Sequence, residues 1–143
     1  MFLDFKSDNM KEDLHEIDSQ VMLGSHFMMS PVVSPNQRKK KTYFPEDLFY
    51  DFYTGQLINP NGEQYINVDA PLDKIPLFVR AGFITPIQTP PDNLHNLNQM
   101  RLEPIEVIIG LDNNNRAAGR IYIDDGHCNI IIIYINNISI QNY

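Results

Sequence analysis

The sequence predicts a mainly β protein built on the β-sandwich plan. Three observations carry this reading. Short apolar or aromatic runs recur at residues 42–44, 48–53, 64–68, 77–80 and 83–87. Turn-forming residues punctuate them at Thr54-Gly55 and Asn59-Pro60-Asn61-Gly62, because Asn and Gly tolerate the left-handed backbone that tight turns need. Residues 64–68 alternate apolar and polar side chains, the period of a half-buried strand. Short strands separated by frequent turns fit a sandwich.

Length and composition narrow the choice. The chain has 143 residues, which suits about one domain or two small ones. It excludes a whole eight-fold β/α barrel, which needs roughly 250 residues. Eleven Lys or Arg against 18 Asp or Glu leave a net charge of −7. That balance excludes a binder of nucleic-acid backbones, which needs a basic surface. A hydrophobic content of 43% is too high for a disordered chain. Trp is absent, and seven Tyr and eight Phe supply the aromatic surface.

The single cysteine, Cys128, excludes an internal disulfide and a C-x-x-C metal or redox site. Met1-Phe2-Leu3 runs straight into Asp4, so no secretory leader is expected. The most apolar window, 130–140, is interrupted by Asn136 and Asn137. It falls short of the about 20 apolar residues that span a bilayer.

Element by element, the chain reads as follows. Met10, Leu14, Ile17 and Val21 recur at helical spacing, which fits either a short amphipathic helix over 8–19 or a solvated loop with apolar anchors. Residues 21–33 form a nearly continuous apolar run closed by Pro31. Such a run predicts one strand buried on both faces, as in a parallel sheet. His26 within it reads as a packed histidine, since no second ligand lies at metal spacing. Arg38-Lys39-Lys40-Lys41 reads as a solvated loop rather than an anion contact, given the acidic chain around it. Strands at 77–80 and 83–87 are expected to hinge at Ala81-Gly82. Thr89-Pro90-Pro91-Asp92-Asn93 reads as a linker. A further β unit begins at 105–111, turns at 112–115 and continues at 120–124.

Candidate chemistry is sparse. Asp124-Asp125-Gly126 places adjacent carboxylates on opposite faces of an extended chain, so they do not flank one bond. Asp-Gly is also a common turn pair, and His127 and Cys128 add only a weak metal reading. Asp112-Asn113-Asn114-Asn115 begins like a calcium loop. It then fails, with Arg116, Ala117 and Ile123 where the ligand, Gly and Glu belong. Phosphate loops, nucleophile elbows and His-Glu-x-x-His motifs are absent. The aromatic set Tyr43, Phe44, Phe49, Tyr50, Phe52 and Tyr53 fits a sheet core better than a sugar-stacking surface. Asn137-Ile138-Ser139 is a formal glycosylation acceptor.

The order of several segments nevertheless resembles one family. They are Gln20-Val21-Met22-Leu23-Gly24-Ser25, Ser30-Pro31-Val32-Val33, Tyr43-Phe44-Pro45, Phe49-Tyr50-Asp51 and Tyr53-Thr54-Gly55. Ile75-Pro76-Leu77-Phe78-Val79-Arg80 follows, with Gly82, Ile84, Pro86 and Gln88, then Ala118-Gly119-Arg120-Ile121-Tyr122 before Asp124-Asp125-Gly126. Together they resemble the C-terminal portion of glycoside hydrolase family 31, the α-glucosidases. Pro86-Ile87-Gln88 is more similar to the lysosomal and intestinal branch than to the endoplasmic-reticulum branch. Phe49 stands where the family usually has Trp, and Ala81 replaces a Gly. After Gly126 the Ile/Asn-rich tail is unlike the family.

The resemblance implies the end of a (β/α)8 barrel with its last strand at 1–35, and a proximal C-terminal β-sandwich at 36–91. It implies the start of a distal β-domain, with an anomalous tail, at 92–143. It implies a retaining hydrolase of α-glucosides or oligosaccharides, in which two Asp act at a separation of about 5–5.5 Å. In the family both lie upstream of this region, so no residue here takes a catalytic role. Asp4, Asp51, Asp69 and Asp73 read as loop or turn carboxylates. No cofactor or metal is expected, and an upstream barrel is the expected partner. The alternatives are a non-catalytic sugar-binding module and a purely structural one.

Overall fold

The computed structural model describes residues 17–59, 61, 64–93, 96–124 and 130–135, with 122–124 and 130–135 described by backbone alone. The described residues fall into two compact units, divided between Ala81 and Gly82. Both are mainly β with antiparallel pairing.

In the first unit the strands are β1 (Val21–Leu23), β2 (Phe27–Met29), β3 (Lys39–Phe44), β4 (Phe49–Asp51), β5 (Gln64–Asp69) and β6 (Leu77–Arg80). Four of them form one sheet in the order β1-β2-β6-β4. The other two, β3 and β5, form a separate antiparallel ribbon.

The start of this unit differs from the sequence expectation. Residues 21–29 are a tight hairpin, not one strand buried on both faces. Val21 pairs with Met29 and Leu23 with Phe27. Gly24 makes the reversal at φ +65°, a left-handed conformation open to glycine. Met22 packs against the core while Val21 and Leu23 are exposed. The neighbours of β2 are antiparallel on both sides. The apolar run was misleading because its turn, Gly24-Ser25-His26, is short enough to look like an interruption.

Lys39, Lys40 and Lys41 also lie in a strand rather than a loop. Lys39 stands opposite Asp69 and Lys41 opposite Asn67. Strand geometry sends Lys39 and Lys41 to the solvent side, where charge costs nothing. Lys40 is half-buried and donates to Ser19 Oγ at 2.7 Å. Its partner strand β5 keeps the expected alternation, with Tyr65, Asn67 and Asp69 exposed between half-buried Gln64, Ile66 and Val68.

The core sits where the ribbon meets the sheet. Met28, Tyr43, Phe44, Phe49 and Phe78 are buried together, with Ile17, Met22, Ile58, Ile66 and Val68 packed around them. The Phe44 ring meets Phe78 edge-on at 4.9 Å and Phe49 at 5.7 Å, the geometry aromatic quadrupoles favour. Burying each such side chain stabilises the fold by about 1.5–3 kcal/mol.

The second unit holds β7 (Phe83–Ile87), a one-turn helix α1 (Leu97–Met100), β8 (Glu106–Gly110), β9 (Gly119–Asp124) and β10 (Ile130–Ile135). Strand β7 pairs with β8 from Phe83↔Gly110 to Ile87↔Glu106. On its other side, Ile84 N–H donates to Ala118 O and Ala118 N–H to Gly82 O, both at 3.0 Å. Strand β9 approaches β7 so closely that a Cβ on Gly119 would lie 2.3 Å from the Ile84 carbonyl oxygen. Helix α1 was not foreseen. The Asn96 side chain starts it by accepting from Gln99 N–H at 3.0 Å, an ordinary N-cap.

The residues 8–16 of the expected amphipathic segment, Asp125 to Cys128, and Asn137-Ile138-Ser139 lie outside the described residues. Among the described residues, no helix is long and apolar enough to cross a membrane.

Candidate functional site

The chemistry-bearing side chains of the first unit gather around Arg80, at the end of β6. Arg80 Nε donates to Asp47 Oδ2 at 2.8 Å, and Nη1 to the Ser25 carbonyl at 3.3 Å. The Arg80 backbone N–H donates to the His26 carbonyl at 2.8 Å. One guanidinium therefore ties the β1–β2 turn to the loop before β4. Partial burial of the His26 imidazole lowers its pKa from 6.5, because desolvation disfavours the charged ring. The ring packs beside Phe27 at 5.3 Å. His26 is thus a packed histidine, as the sequence implied.

A second polar cluster forms the turn after β4. Asp51 Oδ1 accepts from Tyr53 N–H at 2.9 Å, from Thr54 N–H at 2.8 Å and from Thr54 Oγ1 at 2.9 Å. Gly55 closes the turn at φ +70°. This carboxylate is spent on holding Tyr53-Thr54-Gly55. Asp69 lies 3.7 Å from Lys39 Nζ across the ribbon, with both side chains largely exposed. Asp73 is exposed, and Asp4 lies outside the described residues.

In the second unit, Asp112 Oδ1 accepts from Asn114 and Arg116 N–H, each at 2.8 Å. The Arg116 backbone hydrogen bond leads in lowering the Asp112 pKa, with a further contribution from Asn114. Asp112 to Asn115 is a polar turn, with Asn115 at φ +56°. Among the described residues no three His, Cys, Asp or Glu side chains converge as metal ligands.

The aromatic set divides. Tyr43, Phe44 and Phe49 are core, so they offer no stacking surface. Tyr50 and Phe52 are half-buried. Tyr53 alone of the six is exposed. Its hydroxyl donates to the Ile75 carbonyl at 3.0 Å, and Lys74 Nζ lies 5.1 Å from the ring centre. Tyr65, outside the expected set, is similarly exposed beneath Lys41 Nζ at 4.2 Å.

Sequence reasoning gave no role to the buried polar side chains that fasten the unit together. The Gln20 amide imitates a strand, donating to Tyr43 O at 2.9 Å and accepting from Tyr43 N–H at 2.8 Å. Asn59 is fully buried, accepts from Phe49 N–H at 2.6 Å and donates to Asp47 O at 2.6 Å. Ser30 Oγ and Thr42 Oγ1 share a hydrogen bond of 2.8 Å. A polar residue beside an apolar run was the available signal at Gln20 and Ser30. The arrangement fixes backbone and joins elements, and none of it aims paired carboxylates at a common point.

Comparison with known proteins supplies the context for this arrangement. The family profile described as the glycosyl hydrolase family 31 C-terminal domain matches residues 1–85. A probable alpha/beta-glucosidase of Arthroderma benhamiae is 36% identical over 115 residues, 80% of this chain and 13% of that protein. A probable maltase-glucoamylase 2 of Homo sapiens is 39% identical over 111 residues, 78% of this chain and 4% of that protein. Among solved structures, the glucosidase II alpha subunit superposes with a TM-score of 0.69 at 28% identity, covering 77% of this chain and 12% of that one. A Flavobacterium johnsoniae dextranase bound to glucose gives 0.68 at 30% identity, covering 80% and 14%. The chain therefore spans about one eighth or less of the length of the relatives it matches first.

Proposed function

Because the chain belongs to glycosyl hydrolase family 31, we propose that it is the C-terminal β-rich part of an α-glucosidase-type enzyme and serves that enzyme as a non-catalytic scaffold. The observation that carries this reading is the match of residues 1–85 to the family's C-terminal domain. In the whole enzyme, two Asp on an upstream barrel would perform retaining hydrolysis of an α-glucoside or oligosaccharide. Strands β1–β6 would be the proximal β-domain, which takes in the hairpin that the resemblance assigned to the barrel's end at 1–35, because β2 pairs with β6; β7–β10 would start a distal one from Gly82 rather than from residue 92. The engagement of Asp47, Asp51, Asp69 and Asp112 in turns and ion pairs supports the assignment, since each has a structural partner rather than a facing acid.

The competing reading is a sugar-binding module. Tyr53 is the residue of the expected aromatic set left to carry it. Calorimetric titration of the full chain with maltose separates the two. The scaffold reading expects no binding heat at millimolar sugar. Saturable heat that disappears in Tyr53→Ala would overturn it.

A further inference from the structure

Resting on the scaffold reading of this chain, we infer that the outer face of strands β1, β2 and β6 is the surface that seats it on the remainder of a family 31 enzyme. Register decides what that face carries. Side chains directly opposite one another in an antiparallel pair project from the same side of the sheet. Val21, Met29 and Leu77 therefore form one row, and Leu23, Phe27 and Val79 a second. Met22, Met28 and Phe78, in register between them, point the other way into the core. The two outer rows are wholly apolar, in a chain that carries −7. The Phe52 ring meets Phe27 at 5.6 Å, and Val79 is buried. Toward β1 the face opens, with Val21 38% and Leu23 48% exposed.

A solvated face has a different composition. Strand β5 of the same unit turns Tyr65, Asn67 and Asp69 outward. Antiparallel strands with one wet face alternate in that way, whereas strands covered on both faces read as unbroken apolar runs. Every residue of β1 and β2 is apolar. The run that reads as one doubly buried strand is thus a hairpin with apolar residues on both sides, and its outer side calls for a cover.

The cover is a permanent neighbour. Partners that meet by diffusion are commonly steered by complementary charge, which these rows do not offer. Permanent interfaces resemble a core cut in half, as these rows do. In the relatives such a neighbour belongs to the same polypeptide. The matched stretch is 13% of the Arthroderma benhamiae protein and 12% of the glucosidase II alpha subunit, so the rest of one chain accompanies it there.

The test compares the free 143-residue chain with a hybrid in which it replaces the matched stretch of the Arthroderma benhamiae glucosidase. Hydroxyl-radical labelling, read by mass spectrometry, should mark Leu23, Phe27 and Met29 in the free chain and fall severalfold in the hybrid. Tyr65 on β5 should label alike in both. Val21→Lys with Leu23→Lys should leave the near-ultraviolet circular dichroism of the free chain unchanged. In the hybrid it should lower the yield of p-nitrophenyl α-glucoside activity by about tenfold or more, since burying an unpaired ammonium is costly. If the free variant loses its fold, the labelling of the unsubstituted proteins decides alone. An active hybrid that labels like the free chain, or a Lys variant as active as its parent hybrid, overturns the assigned face and leaves the scaffold reading standing. An inactive, unfolded hybrid overturns the scaffold reading and the face with it. Concentration-dependent protection of the same residues in the free chain, at twice its mass, gives the face to a second copy and also overturns the inference.

Discussion

Two antiparallel ribbons of six residue pairs each, β3–β5 and β9–β10, differ in nearly everything but their pairing. The first sets Lys39, Lys41, Asn67 and Asp69 toward solvent and Phe44 into the core. Its core end is packed by ring contacts, and its charges stay on the solvent side. The second combines Gly119-Arg120-Ile121-Tyr122-Ile123-Asp124 with a strand of five Ile and one Tyr. Backbone pairing makes a ribbon in both cases, but the side chains they carry differ, alternating charge and core in one and nearly all apolar along β10 in the other. Register alone sets neither pattern.

The largest effect is expected at the buried end of the first ribbon. Phe44→Ala removes the ring that meets both Phe49 and Phe78, at a cost of about 4 kcal/mol. Urea unfolding followed by Tyr fluorescence should show the midpoint fall steeply or the folded baseline vanish. A loss under about 1 kcal/mol would mean that the ribbon is held by something other than its rings.

Gly119→Ala tests how the second ribbon is gripped. A Cβ there would lie 2.3 Å from the Ile84 carbonyl oxygen, and a backbone atom cannot swing aside. About 3 kcal/mol of local destabilisation is expected. Hydrogen exchange should rise through β7 and β9 while the amides of β3 and β5 stay protected. Exchange that rises equally in both ribbons would contradict a local grip.

Asn59→Ala probes the polar fastening of the first unit. It leaves the Phe49 N–H and the Asp47 carbonyl without their present partner, at a cost of about 2 kcal/mol. Asn59→Asp keeps the acceptor but buries a carboxylate oxygen against the Asp47 and Pro45 carbonyls, so at neutral pH its thermal midpoint is expected to lie below that of Asn59→Ala.

The smallest effect is expected at Lys39→Ala. Its ion pair with Asp69 is 3.7 Å long between side chains that are 73% and 83% exposed. Such pairs contribute about 0–1 kcal/mol and are screened by salt. An unfolding midpoint moved by more than Asn59→Ala would reverse the ranking of core over charge.

Much of the first unit was legible because its signals are local. The alternation of residues 64–68 needs only a period of two, and the result is β5. Strand β6, and β7 at the start of the second unit, fall where the apolar runs lie on either side of Ala81-Gly82. The β1–β2 hairpin was obscured because apolar residues on both arms merge into one run when read along the chain. The strand at Lys39 to Lys41 reads as a solvated loop because an exposed strand face accepts the same charges as a loop. The fastening residues were least legible. Gln20 acts on Tyr43 across 23 positions and Asn59 on Phe49 across 10, and no pattern along the sequence pairs an amide with a backbone so far away. The family context was legible from ordered motifs such as Ile75-Pro76-Leu77-Phe78-Val79-Arg80, whose Arg80 proves to tie two loops together.

The central claim, that this chain is the non-catalytic C-terminal part of a family 31 enzyme, meets its most direct test in turnover of p-nitrophenyl α-glucoside by the purified 143-residue chain. The account predicts release of nitrophenol at the uncatalysed rate across the acidic and neutral range. Robust turnover that tracks the chain through purification and falls on substitution of one of its own carboxylates would contradict it.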